Sequence, residues 1–479
     1  MLTIAAILFP PLAGICTGLL NKEYSKQIRY YGLVSLISLI LSLSAAFYSE
    51  PVKIIDFAEN VSLSFSFDNF GRFYICAVLL LYTAVSFYAF EYMKKEENQN
   101  IFFSFYYVSL GALTAVAASA NPITLYLSFE MATLTTVPLV LHEKTKEAVT
   151  AGLKYLFYSI GGALLGLFGI FFLYYYSSGD RLFRYGGFLD ETMLNGHENF
   201  MLAVVFVTII GFGTKAGIYP MHGWLPTAHP IAPAPASALL SGIIAKAGIV
   251  AVVRIVYYSV GADFIRSSWV QTAWMIIAMI TILMGSTMAF LEHNLKKRLA
   301  YSTISQISYI MLALSILSED ALRGAFIHLV SHAASKGCLF LCAGIFIYIL
   351  GKRQVSDLYG LGKKMPLTFI AFTIASLSLV GIPPMGGFLS KWLIALAAAD
   401  SGMGILSYIP TVVLLISAFL TAGYLFPVAV DAFFPGKEYI PDSNAKEAPL
   451  IMIIPLFILC AAALIMGIYG VQIMEAFSF

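Results

Sequence analysis

Runs of apolar residues long enough to cross a lipid bilayer follow one another along the whole length of this chain. A transmembrane helix needs about 20 mostly apolar residues, because the hydrocarbon core of a bilayer is about 30 Å thick. The runs therefore predict an all-α polytopic membrane protein of about fourteen transmembrane helices, and residues 1–479 form a single transmembrane domain with no soluble domain between spans. The predicted spans are 3–20, 28–48, 72–92, 102–120, 122–141, 150–176, 200–219, 231–256, 269–291, 299–318, 321–349, 366–398, 409–433 and 449–475.

Composition supports the membrane assignment. Hydrophobic residues make up 59% of the 479 residues and charged residues only 11%, which is too little charge to cover the surface of a soluble protein. The net charge of +2 gives no reason to expect a nucleic-acid partner. The five cysteines fall in apolar runs without zinc-site spacing, so we interpret them as packing residues. The first 20 residues lack a basic segment and a cleavage site, which predicts a retained span instead of a signal peptide.

The distribution of lysine and arginine between the spans predicts the orientation of the chain. With fourteen spans, the odd-numbered connections carry sixteen basic residues and the even-numbered connections carry six. Cytoplasmic loops of membrane proteins carry the excess of positive charge. We therefore expect a multi-pass protein of the cell (inner) membrane, with the odd-numbered connections in the cytoplasm and both termini outside.

A few charged residues lie inside the predicted spans, where each needs a partner, water or a function. The basic ones are Lys154, Lys215, Lys246, Arg254, Lys336 and Lys391. Arg254 and Lys154 lie near span ends, and their long side chains can reach the membrane interface. The carboxylate of Glu130 lies near the middle of its span, in LYLSFEMATL. We expect Glu130 to form a functional ion pair, although a protonated structural glutamate is the alternative.

The first candidate segment, residues 211–248, is an apolar helix followed by a proline- and glycine-rich interruption and a second apolar run. Lys215 lies before the interruption and Lys246 after it. Broken helices at membrane depth must face protein or water, and they often frame transport sites. His222 and His229 flank the break, and we interpret both as loop residues near the cytoplasmic face.

A second interruption lies in another long apolar run, in the motif GIPPMGGFLSKWL at residues 381–393. Lys391 follows the proline and glycine pairs of this motif. Two interrupted helices with lysines, one in each half of the chain, indicate an internal repeat. We predict approximate repeats at residues 102–256 and 269–433.

The third candidate segment is HLVSHAASK, which places His328, His332 and Lys336 at positions i, i+4 and i+8. These positions form one stripe along a helix, about 12 Å long. Three titratable groups on one face of a membrane helix are typical of a proton relay. A metal site is the alternative at this histidine spacing, but the sequence offers no third ligand.

In Glu130 and in the three candidate segments, the chain resembles the antiporter-like subunit family. That family includes membrane subunits of respiratory complex I, of Mrp-type sodium/proton antiporters and of energy-converting membrane-bound hydrogenases. The resemblance covers nearly the whole chain and is most specific over residues 120–400. The stretch AHPIAPAPASALLSG is closer to hydrogenase-linked members than to complex I members. The resemblance implies fourteen helices with two inverted five-helix repeats, each with a broken helix.

The resemblance also implies a proton relay, in the order Glu130, Lys215, Lys246, His328, His332, Lys336 and Lys391. Glu130 and Lys215 would be the input pair and Lys246 the central connecting lysine. The histidine stripe with its lysine would bridge two half-channels. Lys391 would be the exit group, at a position that some members fill with glutamate.

These observations support an ion-translocating subunit of a larger, redox-driven complex. The chain has no flavin, cluster or quinone motif, so we expect no cofactor in this chain and redox cofactors in partner subunits. Expected partners are other membrane subunits and a peripheral redox arm, and the transported ions are protons, or protons and sodium. The alternatives are a Mrp-type antiporter subunit and a self-contained metabolite transporter. An intramembrane enzyme is disfavoured, because the spans lack a group of carboxylates or a nucleophile with its base.

Overall fold

The computed structural model describes residues 1–19, 24–58, 61–436 and 445–479. Helices dominate these residues, and the only strands among them, β1 (Val52–Ala58) and β2 (Val61–Phe65), form an antiparallel hairpin. The main helices are α1 (Leu2–Cys16), α2 (Tyr24–Tyr48), α3 (Asn69–Tyr92), α4 (Gln99–Ala118), α5 (Pro122–Val140), α6 (Lys146–Tyr175), α7 (Glu198–Ala216), α8 (Leu225–Ile231), α9 (Ala234–Val260), α10 (Trp269–Leu291), α11 (Leu295–Ile316), α12 (Glu319–Leu350), α13 (Pro366–Val380), α14 (Gly386–Ala399), α15 (Ile409–Phe433) and α16 (Leu450–Ile468).

Twelve helices in the described ranges are long and apolar enough to cross a membrane. The predicted fold class, an all-α polytopic membrane protein, is confirmed. Two of the fourteen predicted spans correspond to shorter elements: span 3–20 is the 15-residue helix α1, and span 366–398 is divided between α13 and α14. Lys22 and Lys437, two of the basic residues that indicated the orientation, lie outside the described residues.

Both predicted interruptions are present, and glycine ends the helix before each one. Helix α7 ends at Ala216, and Gly217 follows in the left-handed conformation with φ of 82°. Helix α13 ends at Val380, and Gly381 follows with φ of 93°. Such φ values are common for glycine and rare for other residues. At the second interruption a Cβ on Gly387 would overlap the carbonyl oxygen of Ser378, so only glycine permits this approach.

The chain forms two compact units. The first comprises Met1–Leu80, Asn98–Trp224 and Ile244–Ile277, and the second comprises Leu81–Glu97, Leu225–Ile243 and Ala278–Phe479. The predicted repeats, 102–256 and 269–433, and the treatment of residues 1–479 as a single transmembrane domain remain predictions.

In the first unit, glycines bring helices α6 and α7 into backbone contact. A Cβ added to Gly162 would lie 2.5 Å from the carbonyl oxygen of Gly211, and one added to Gly211 would lie 2.7 Å from the carbonyl oxygen of Gly162. Small residues of this kind let membrane helices approach closely and gain van der Waals contact. The contact places α7, the helix that carries Lys215, directly against α6.

The first unit also contains an ion pair between a buried arginine and a partly exposed aspartate, which the sequence did not indicate. Arg254 was predicted to reach the membrane interface, but its side chain is only 1% exposed. Two guanidinium nitrogens donate to the two carboxylate oxygens of Asp68, at 2.5 and 2.7 Å. The rings of Phe70, Phe183 and Tyr258 surround the guanidinium group, each about 5 Å from its carbon atom. Asp68, distant in sequence, is thus the partner of the buried guanidinium group, and the position of Arg254 relative to the membrane interface stays a prediction.

Helix α12 is the centre of the second unit. It packs against α11, α13, α14 and α16, and its residues are buried almost throughout. A helix that is apolar all round and covered by four neighbours belongs in a core and not at a lipid-facing surface. The predicted histidine stripe therefore lies where lipid does not reach it. Cys338 of α12 and Cys460 of α16 pack with their sulfur atoms 3.7 Å apart.

Candidate functional site

Lys215 lies in the last turn of α7, and its side chain is only 1% exposed. Its Nζ atom donates to Thr133 Oγ1 at 2.5 Å and to the carbonyl oxygen of Phe129 at 3.5 Å. The same Nζ lies 4.4 Å from the centre of the Phe129 ring. The carboxyl end of a helix dipole favours a positive charge. Helix α5 and the end of α7 thus form a site for an ammonium group in the interior of the first unit.

Glu130 does not form the ion pair with Lys215 that we expected. No carboxylate oxygen lies within 4.0 Å of a lysine or arginine nitrogen at this position among the described residues. The reason is helical geometry: Lys215 binds the α5 face of Phe129 and Thr133, and Glu130 lies about 100° around the helix from Phe129. The half-buried carboxylate remains close enough to attract the ammonium group. Its buried Oε1 atom accepts no hydrogen bond within the described chain.

Lys246 is fully buried in α9, directly after a wide helical turn at Leu240–Ile244. Wide turns of this type frequently accompany functional sites. Helix α9 crosses α7 at Gly248, where an added Cβ would lie 2.6 Å from the carbonyl oxygen of Phe212 and 3.2 Å from Lys215 Cβ. The two lysines therefore lie on adjacent helices of the first unit, within about one turn of the point where these helices touch.

The two histidines of the first interruption have different environments. His222 is half-buried in the turn after α7 and stacks on Tyr219, as a loop residue can. His229 was also predicted to be a loop residue near the cytoplasmic face; the loop assignment was wrong, and the position relative to that face stays a prediction. It lies in α8, fully buried, with its ring stacked 4.8 Å from Phe340. Neither ring nitrogen of His229 has a hydrogen-bond partner in the described part of the chain.

A signal for the burial of His229 was present in the sequence. Residues 216–245, between Lys215 and Lys246, contain no aspartate, glutamate, lysine or arginine. An exposed loop of that length would be expected to contain some charge, so its absence indicated a buried segment. Lys296 is a second residue that the sequence did not single out, because it was counted with a cytoplasmic connection. It is buried, and its Nζ donates to the carbonyl oxygens of Ala232 and Pro230 just after and within α8.

The predicted stripe on α12 is present, and all three of its side chains are buried. The rings of His328 and His332 stack with centroids 5.9 Å apart. His328 Nδ1 lies 2.8 Å from Ser390 Oγ on α14, and Lys336 Nζ donates to the carbonyl oxygen of Leu299 at 3.1 Å. The stripe therefore contacts α11 at one end and α14 at the other.

Lys391 lies on α14, one residue after Ser390, and its ammonium group caps the carboxyl end of α13. Nζ donates to the carbonyl oxygens of Leu379 and Val380, the last residues of α13, at 2.6 and 2.9 Å. These carbonyl groups have no partner within the helix, and a cation there also interacts favourably with the helix dipole. The Nζ atom lies 5.0 Å from the centre of the Tyr309 ring, which in turn lies 5.3 Å from the ring of His328. Lys391 and the stripe thus form one polar cluster in the second unit.

The candidate site residues of both units are side chains that can gain or lose a proton. The described residues contain no group of three or more histidine, cysteine, aspartate or glutamate side chains placed to hold a metal ion. Lysine, histidine and glutamate can each gain or lose a proton, and buried lysines are held here by neutral oxygens and aromatic rings. Such groups can pass protons when water or a side-chain movement connects them.

Comparison with known proteins agrees with this picture. Residues 119–421 match the family described as NADH:quinone oxidoreductase/Mrp antiporter, TM. The chain is 32% identical over 390 residues to NADH-quinone oxidoreductase subunit N of Desulforudis audaxviator, covering 79% of this chain and 76% of that protein. It is 26% identical over 477 residues to a Na(+)/H(+) antiporter subunit of Alkalihalophilus pseudofirmus, covering 97% of this chain and 93% of that protein.

A solved structure shows the same fold over the full length of the chain. It is a chain of the membrane-bound sulfane sulfur reductase, an archaeal respiratory membrane complex, with a TM-score of 0.83 and 22% identity. The alignment covers 100% of this chain and 95% of that chain. The family match includes Glu130, the first interruption, the stripe and Lys391. The resemblance drawn from the sequence is thereby confirmed, and the chain belongs to the NADH:quinone oxidoreductase/Mrp antiporter transmembrane family.

Proposed function

We propose that this chain translocates protons, or protons and sodium ions, as a membrane subunit of a redox-driven complex of the complex I or membrane-bound hydrogenase type. The observation that carries the proposal is the burial of four lysines, Lys215, Lys246, Lys336 and Lys391, within membrane helices. Charged groups at membrane depth are costly, and they mark ion pathways. Family membership supports the same function.

The proposed relay comprises Glu130, Lys215, Lys246, His328, His332, Lys336 and Lys391, in the order that the resemblance implies. Lys215 would hold a proton while Glu130 attracts its ammonium group, and would release that proton when movement of α5 or α7 separates the two charges further. Lys391 would hold a proton against the carbonyl groups that end α13. To these we add His229, because a buried imidazole without hydrogen-bond partners in the described chain can accept or donate a proton.

Electron transfer would take place in partner subunits that carry the redox cofactors. Support comes from the relative named NADH-quinone oxidoreductase subunit N, a subunit of a redox enzyme by its name. The second candidate is a subunit of a Mrp-type antiporter, driven by an ion gradient. The Na(+)/H(+) antiporter relative from Alkalihalophilus pseudofirmus, aligned over 97% of this chain, favours it. Native purification with identification of the partners and an assay of redox activity separates the two candidates.

The function is tested by replacing Glu130 with glutamine in the intact complex. Glu130→Gln keeps the shape of the side chain but removes the charge that attracts Lys215. We expect coupled ion uptake by sealed vesicles to fall about 100-fold, the scale for loss of a positioned proton-transfer group, with little change in protein amount. Glu143→Gln is the matched control, because Glu143 is exposed in the turn after α5. Near-normal uptake by Glu130→Gln would contradict the proposed role of the pair.

We further propose that the protein lies in the cell (inner) membrane with both termini outside, on the support of the positive-charge bias. Single cysteines at Lys364 and Asn195, both exposed, test this orientation. The exposed native Cys16 is first replaced by serine. An impermeant maleimide should label the Lys364 position only from the cytoplasm and the Asn195 position only from outside. The reversed pattern would overturn the orientation while leaving the translocation proposal untouched.

A further inference from the structure

Helix α13, which precedes the second interruption, is bound at both ends by charged side chains from other segments. It has 15 residues, Pro366–Val380, and is therefore about 22 Å long. The chain bends by 118° where it enters this helix, and Gly381 ends it. Because neither end continues straight into another membrane helix, contacts at the two ends help to fix the position of α13 along its own axis.

The amino end of α13 binds the carboxylate of Glu447, a residue that lies shortly before the start of α16. Glu447 Oε2 accepts hydrogen bonds from the backbone N–H groups of Leu367 and Thr368 at 2.7 and 3.4 Å. Its Oε1 accepts from Thr368 Oγ1 at 2.5 Å. Pro366 has no N–H group, and the N–H group of Phe369 already donates to a backbone carbonyl oxygen. One carboxylate therefore satisfies both N–H groups that the start of this helix leaves without a backbone partner.

This cap differs from those of several other membrane helices in the protein. Helices α5, α6, α11 and α12 are each capped by the side chain of the residue directly before the helix, namely Asn121, Thr145, Asn294 and Ser318. The residue directly before α13 is Met365, whose side chain makes no cap. Glu447, 80 residues further along the chain than Leu367, supplies the cap instead. The start of α13 is thereby bound to the start of α16.

The carboxyl end of α13 binds Lys391, whose Nζ donates to the carbonyl oxygens of Leu379 and Val380. An acidic group at the amino end of a helix and a basic group at its carboxyl end both interact favourably with the helix dipole. Helix α13 therefore connects two charged side chains that are themselves far apart. Of these two, Lys391 belongs to the proposed relay and Glu447 does not.

We propose that Glu447 is a positioning residue for Lys391. By binding the amino end of α13 to the start of α16, Glu447 fixes how far the helix extends towards Lys391. It thereby fixes the place of the two carbonyl groups that hold the ammonium group. Hydrogen bonds of this kind extend to about 3.2 Å, so a shift of α13 by about 1 Å would weaken both of them. This inference rests on the proposed function.

The other groups near Lys391 leave the carbonyl groups of α13 as its main partners. Tyr309 of α11 lies under the ammonium group, and His328 of α12 lies beside Tyr309. Among the described residues, no carboxylate lies within 4.0 Å of Lys391 Nζ. The titratable side chains of the remaining neighbouring helices are none on α13, Cys460 on α16, and Tyr424 and Asp431 on α15. The position of α13 should therefore influence the pH at which Lys391 takes up a proton.

Glu447→Gln tests the inference in sealed vesicles that contain the intact complex, because glutamine keeps the size of the side chain and removes its charge. Ion uptake should fall about tenfold, as expected when a reacting group is slightly misplaced. The alkaline limb of the pH profile of uptake should move to lower pH by about one unit, because an ammonium group that is held less strongly forms only at a higher proton concentration. Glu319→Gln is the matched control, because Glu319 is an exposed carboxylate in the first turn of α12.

An unshifted pH profile in Glu447→Gln would overturn the inference at any rate of uptake, because a lower rate alone indicates an ordinary helix cap. If Glu447→Gln did not assemble, Thr368→Val would decide, since it removes one of the contacts of Glu447 without a change of shape. A shift of the profile to lower pH would then support the inference, and an unshifted profile would overturn it. Uptake by the wild type that is lost in Lys391→Ala would leave the proposed function standing in each case. Absence of uptake in the wild-type complex would overturn both proposals together.

Discussion

Replacement of Lys215 by arginine is expected to reduce coupled ion transport about 100-fold or more while the protein folds and assembles, because arginine does not deprotonate in proteins. Thr133 and the carbonyl oxygen of Phe129, which accept hydrogen bonds from Lys215, offer the same acceptors to a guanidinium group. A group that holds its proton permanently cannot pass it on. The measurement is proton and sodium uptake by vesicles with the intact complex, alongside its driving activity.

The same substitution at an exposed site serves as the control. Lys364 is exposed in a loop, and the complex with Lys364→Arg should transport ions at the wild-type rate. Protein amount and thermal midpoint of the Lys215→Arg complex should match the wild type, which separates loss of transport from loss of structure. If Lys215→Arg transported at the wild-type rate, Lys215 would be a structural cation and the relay would have to bypass it.

The second large effect concerns stability. Asp68→Asn removes the charge that neutralises the buried guanidinium group of Arg254. Breaking one partner of a fully buried ion pair costs about 3–5 kcal/mol, and we expect about 2–3 kcal/mol here because Asp68 is 38% exposed. The variant should therefore show a clearly lower midpoint of thermal unfolding in detergent. Asp56→Asn is the control, because its ion pair with Lys53 is exposed, at 55% and 59%, and contributes little.

The effect should also depend on pH. Burial by itself raises the pKa of Asp68, but the charge and hydrogen bonds of Arg254 and the backbone amide of Gly71 hold it below its ordinary value. For a carboxyl group with a lowered pKa in the folded state, the stabilisation is present above the unfolded value of about 4 and is lost as the pH falls through the lower folded value. The difference between wild type and Asp68→Asn should therefore shrink in acid. A difference that stayed constant down to the folded pKa and below would contradict the ion-pair explanation.

The helices themselves could be predicted from the sequence because the bilayer imposes a local rule. Any segment that crosses it must be apolar for about 20 residues and must satisfy its backbone internally. For this reason span 321–349 was close to α12, Glu319–Leu350, and the proline and glycine pairs near Lys391 marked the interruption between α13 and α14. The i, i+4, i+8 stripe was equally local, since helical geometry alone puts His328, His332 and Lys336 on one face.

The partners of the buried polar groups could not be predicted in this way, because they come from helices far apart in the chain. Arg254 meets Asp68 across 186 residues, and Lys215 binds Thr133 where Glu130 was expected. Buried hydroxyl groups also meet across more than 100 positions, as Tyr309 and Ser417 do. By itself the sequence determined which segments enter the membrane and which of them carry charge. Only the tertiary structure decided which polar groups meet, because helix packing selects one face of each helix and composition along the chain does not encode that choice.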